Sequence, residues 1–152
     1  MPKSTKKVYM GPVEFSPYRA KKSEIYMGNP QRTHFRKILL AWKTNLMEEI
    51  ESAKKSMQHE SETYADLVDS AAQETNVNLE IKKRDRERKL LRKIDKSLVQ
   101  LDTDEQTPSS IPEYGYCEDC SAEIGIKRLE ARPTATLCID CKTLQEIKEK
   151  QE

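Results

Sequence analysis

Glycine is scarce in this chain, with four in 152 residues, and phenylalanine and tryptophan are scarcer, with two and one. Apolar residues make up 36% of the sequence and the mean hydropathy is -0.86, too little material for a large spherical core. Together these shortages argue against a packed β-sandwich and for an elongated molecule. Charge of one sign is missing too: 27 Lys and Arg face 26 Asp and Glu, a net charge of +1. That balance excludes a global electrostatic footprint for nucleic acid, so any phosphate site must be local. The basic start, residues 1–7, is followed by no apolar run of the length a secretory signal or membrane span requires, which predicts a soluble, cytoplasmic protein. Also missing are a nucleophile beside a base, a glycine-rich phosphate loop and paired catalytic carboxylates, so no enzyme is expected.

What is abundant is charge, 35% of all residues, in a pattern suited to long solvated helices. Residues 1–28 hold Pro2, Gly11, Pro12, Pro17 and Gly28 without a sustained period and read as a loosely ordered arm. Asn29-Pro30 supplies a helix start, Asn as the cap and Pro in the first turn. From there Phe35, Leu39, Trp42, Leu46, Ile50, Ala53 and Met57 recur at spacings of four and three, the seam of a coiled coil. A second helical stretch from near Ser70 carries Leu79, Leu90, Ile94, Leu98 and Leu101, interrupted by charge from Lys82 to Lys89. Two such segments in succession predict an antiparallel hairpin over residues 29–101, with its tip near 63–71. Residues 102–113, with Pro108 and Pro112, read as a linker, 114–142 as a compact cysteine unit and 143–152 as a closing helix. The fold class expected is therefore mainly α.

Cys117 and Cys120 form one close pair, Cys138 and Cys141 another, with seventeen residues between the pairs. Two knuckles at this spacing can present four thiolates to one tetrahedral Zn²⁺; the alternatives are redox-active thiol pairs or unliganded buried cysteines. A site with four thiolates has no open position, so such a zinc is structural.

The run CEDCSAEIGIKRLEARPTATLCIDCKTLQEIKEKQ, residues 117–151, resembles the zinc finger of the DksA/TraR family. Upstream, HFRKILLAWKTNL, DLVDSAAQE and RDRERKLLRKI resemble the same family in the same order, so the likeness covers residues 24–151. It implies a regulator that enters the secondary channel of RNA polymerase with its coiled-coil tip foremost and alters promoter open-complex stability together with (p)ppGpp. Ribosomal RNA promoters would be repressed and some biosynthetic promoters activated, without direct sequence-specific binding to DNA. A monomer with no membrane association is expected.

The family's tip motif maps onto Asp66, Asp69 and Ala71, with Leu67 where proline is expected. Two carboxylates at the end of a rod concentrate negative charge, although Asp69 or Ser70 could equally cap the second helix. Eight cations lie between Lys82 and Lys93. By charge alone these describe a solvated helix face. The resemblance assigns Leu90 and Lys93, with Arg132 and Lys142 of the finger, to (p)ppGpp. Two competing readings remain: a zinc-finger protein that binds nucleic acid, and a Gre-like factor for transcript cleavage.

Overall fold

The structure is a computed structural model that describes residues 8–10, 13–63, 70–106 and 113–151. A small antiparallel pair, β1 (Val8–Met10) and β2 (Val13–Phe15), is followed by two long helices, α1 (Asn29–Thr63) and α2 (Ser70–Gln106). Two shorter helices, α3 (Ile126–Ala131) and α4 (Ile139–Gln151), belong to the cysteine-bearing unit. The mainly α architecture expected from composition is what the chain adopts.

The long helices run antiparallel. Arg36 pairs with Asp102 at 3.1 Å, Lys43 with Asp95 at 2.7 Å, and Arg84 reaches the sulfur of Met57, so partners fall along α2 as they rise along α1. With 35 and 37 residues, each helix is about 50 Å long. The core concentrates where the seam is most apolar: Phe35, Ile38, Leu39 and Leu46 of α1 meet Ile94 and Leu101 of α2. Trp42, Ile50, Leu90 and Leu98 pack against its margin.

Leu79, one of the apolar residues the sequence marks along the second helix, lies off the seam and is 60% exposed. The charged run after it is the reason: Glu80, Arg84 and Glu87 occupy the half-buried positions of this part of α2, leaving no continuous apolar stripe for Leu79 to join. The two leucines therefore make a test of where stability resides. Leu101→Ala, at a fully buried site, should cost about 2–5 kcal/mol, whereas Leu79→Ala should stay within about 0.5 kcal/mol in thermal melts.

Three boundaries, and the order of the arm, differ from the sequence expectation. The first carbonyl of α1 to accept a helical hydrogen bond is that of Gly28, from Arg32 N–H at 3.0 Å, so the cap lies one residue before Asn29. The Gln31 side chain reaches back to Met27 N–H at 2.7 Å, much as in a capping box. At its other end α2 continues past residue 101 to Gln106, supported by the ion pair of Asp102 with Arg36. Helix α4 begins at Ile139 rather than at 143, and Asp140 in its first turn complements the helix dipole. Finally, the arm is packed: Val8 pairs with Phe15 and Met10 with Val13, Val13 is buried, and Phe15 lies against the core. Strands of three residues are too short to show a period in the sequence. Among the described residues no helix is long and apolar enough to cross a membrane.

Candidate functional site

The cysteine unit is built from two tight turns. After Cys117 the chain reverses: Ser121, at φ 60°, donates its N–H to Cys117 O at 2.9 Å, and Cys117 N–H donates to Ala122 O at 2.8 Å. The second turn runs directly into α4, where Lys142 N–H reaches Cys138 O at 3.0 Å and Cys141 N–H points at the Cys138 sulfur. Cys117, Cys120, Cys138 and Cys141 thereby place their sulfurs within 4.8 Å of one another. Cys120 and Cys138 are 3.7 Å apart, against about 3.8 Å for an edge of a tetrahedral four-thiolate zinc site.

Burial opposes ionisation of Cys117, but backbone hydrogen bonds from Cys138, Cys120 and Asp119 outweigh it and bring the thiol down to about 6. Cys141 is driven well above the ordinary thiol range by hydrogen bonds with Cys138 and Cys120. Four thiols this close cannot all be ionised without a cation among them. The donor set, its tetrahedral spacing and its closed shell fit one structural Zn²⁺, which would tie the two turns together.

The finger sits against the base of the hairpin. Tyr114 is buried with its ring 5.8 Å from Phe35 and donates its hydroxyl to Pro133 O at 2.7 Å; burial pushes its pKa well above the ordinary phenol value. Tyr26 bridges the arm and the finger, donating to Gly115 O at 2.8 Å and accepting from Gly125 N–H at 3.1 Å. Gly115 is needed here for its backbone, since φ 89° is a conformation that residues with a Cβ rarely adopt. On the other side His34 of α1 contacts Glu130 of α3 at 3.1 Å, and Glu130 also accepts from the backbone N–H of Tyr18.

This docking opens a cleft of about 340 Å³ between α2 and the finger. Lys93, Arg132 and Lys142, assigned to one anionic ligand by family likeness, all line it, although they lie far apart in sequence. Leu90, the fourth residue so assigned, is half-buried on α2 and packs against the core. Two further cations line the same space and were not singled out in the sequence: Lys96, one turn after Lys93, and Arg128, whose Nε donates to Leu137 O at 3.2 Å. The helical spacing of Lys93 and Lys96 was the available signal for the first. At the other end of the hairpin, Asp66 and Asp69 lie outside the described residues, as does Leu67, and Ala71 is placed only as a position in the first turn of α2.

Fold and site together define a class, a two-helix rod built on a four-cysteine zinc finger. The family described as DnaK suppressor protein DksA, N-terminal domain, matches residues 31–101, and the prokaryotic dksA/traR C4-type zinc finger matches residues 112–146. The chain is 51% identical over 135 residues to the RNA polymerase-binding transcription factor DksA of Escherichia coli (strain K12), covering 89% of this chain and 84% of that protein. The protein of the same name from Haemophilus influenzae is 53% identical over 135 residues, covering 89% and 88%. The solved structure of transcription factor DksA2 from Pseudomonas aeruginosa superposes with a TM-score of 0.71 at 35% identity, covering 82% of this chain and 90% of that one. The chain belongs to the DksA family.

Proposed function

We propose that this chain is a cytoplasmic transcription regulator that binds RNA polymerase, enters its secondary channel with the α1–α2 tip foremost, and alters promoter open-complex stability together with (p)ppGpp. It represses ribosomal RNA promoters and activates some biosynthetic ones, acting as a monomer, without catalysis of its own and without reading DNA sequence. The observation that carries this reading is the match to proteins named as RNA polymerase-binding transcription factors, which covers 89% of the chain and takes in hairpin and finger alike. In this reading the rod supplies reach, and Asp66, Asp69 and Ala71 form its working end.

The nucleotide is assigned to the cleft of Lys93, Arg132 and Lys142, with Leu90 beside it on α2. Cations from two separate elements suit a ligand with several phosphates, because the guanidinium can bind two oxygens at once and the ammonium groups act as point charges. The direct test is the lifetime of open complexes on a ribosomal promoter with purified polymerase. Adding the protein should shorten it, and (p)ppGpp should deepen the effect; an unchanged lifetime under both conditions overturns the proposal. Lys93→Ala or Arg132→Ala should weaken the nucleotide's contribution by about 1–3 kcal/mol while polymerase binding persists. An unaltered nucleotide response in both variants would move that site elsewhere.

A further inference from the structure

Among the described residues that line the cationic cleft, Glu118 is the sole carboxylate. Its position is not left to chance. The Glu118 N–H donates to Thr136 O at 2.9 Å, fixing the backbone between the two cysteine turns, and the carboxylate meets Lys96 Nζ of α2 at 2.8 Å. Lys93, Arg128, Arg132 and Lys142 line the same space. The ion pair joins finger to hairpin, yet its side chains are 58% and 31% exposed, so it adds little to folding. Its larger effect is on what else enters the cleft: the carboxylate occupies one cation and repels any incoming anion.

We propose that Glu118 and Lys96 form a displaceable counter-charge that sets the affinity of the cleft for a polyphosphate ligand, an inference that rests on the nucleotide site proposed above. Without ligand, Glu118 neutralises Lys96. A ligand with several phosphates displaces the carboxylate and takes Lys96 for itself, whereas a weakly charged one cannot repay the lost pair. Glu118 therefore lowers affinity overall and favours highly charged ligands, acting as a specificity residue without contributing a favourable contact.

The test uses the full zinc-loaded chain on purified polymerase, with guanosine tetraphosphate as the probe and open-complex lifetime as the readout. Glu118→Gln retains size and hydrogen bonding but removes the charge, and should lower the half-maximal nucleotide concentration by about three- to tenfold at low salt, a gain that shrinks as salt screens the charge. Lys96→Met should do the reverse, since it leaves Glu118 uncompensated in the cleft. The Lys96→Met/Glu118→Gln double variant should recover the response lost in Lys96→Met alone. If the pair only docks the finger, both single variants loosen the contact, neither tightens the response, and the double variant is no better than Lys96→Met; any of these results overturns the proposal. Lys93→Ala separates this failure from that of the nucleotide site. A response weakened by Lys93→Ala but not tightened by Glu118→Gln rejects the counter-charge alone, whereas indifference to all the variants rejects the site beneath it.

Discussion

Cys117→Ser should yield a chain without stoichiometric zinc, in which residues 113–151 lose their protection while most of the helical signal survives. The four sulfurs lie within 4.8 Å of one another, and beside them the hydrogen bond from Glu118 N–H to Thr136 O joins the two turns. A serine hydroxyl remains protonated at neutral pH and is a poor ligand for Zn²⁺, so one vertex of the tetrahedron is lost. Binding of structural zinc supplies about 10–16 kcal/mol in small finger units, enough to decide whether such a unit is folded. The hairpin retains its own seam of Phe35, Leu39, Leu46, Ile94 and Leu101. Its base should loosen nonetheless, because Tyr114, Ile124 and Leu129 of the finger belong to the same core. Metal analysis and limited proteolysis check this directly, and unchanged zinc content in Cys117→Ser would show the ligand to be misassigned. The nucleotide response should vanish as well, since Arg132 and Lys142 are carried by the finger.

The features readable in the sequence were those written in local spacing. Four-three recurrence located the α1 seam, and paired cysteines located the metal, because both depend on residues a few positions apart. Features depending on distant partners were not readable in that way. The arm appeared irregular because its order comes from contacts across the fold: Tyr26 meets Gly115, and Tyr18 meets Glu130. Leu79 has the residue type of a seam position, but such a position requires an apolar partner on the facing helix, and the charged run of α2 removes the continuity. The start of α4 was missed because Cys138 and Cys141 were read only as ligands, although the spacing that suits a knuckle also suits a first helical turn. The cleft could be approached only by family likeness, since Lys93 and Arg132 meet through docking rather than through sequence. Glu118 shows the limit of that route, being brought to the site by the structure alone, while Lys96 was marked only by its helical spacing from Lys93.

Asp69→Asn should abolish promoter regulation while leaving stability and polymerase affinity close to their original values. The residue directly precedes α2, which starts at Ser70, so capping alone would give it a structural role. Asparagine caps a helix as well as aspartate does, and the substitution preserves size while deleting the charge. If capping were its whole contribution, melting temperature, affinity and open-complex lifetime should all survive with small changes. If the carboxylate acts inside the polymerase channel, the effect on lifetime should fall by about tenfold or more, equivalent to about 1.4 kcal/mol or more of transition-state effect. Affinity should persist in that case, because the rest of the hairpin and the finger remain to make contact. Measuring all three quantities on one purified variant separates the roles: lost regulation with retained binding assigns the charge to the working end, and normal regulation by Asp69→Asn removes it from that position. Leu67→Pro adds a second arm on the same segment. Proline restricts the backbone at its own position and the one before it, so a tip limited by looseness should gain potency, while one limited by charge should respond only to Asp69→Asn.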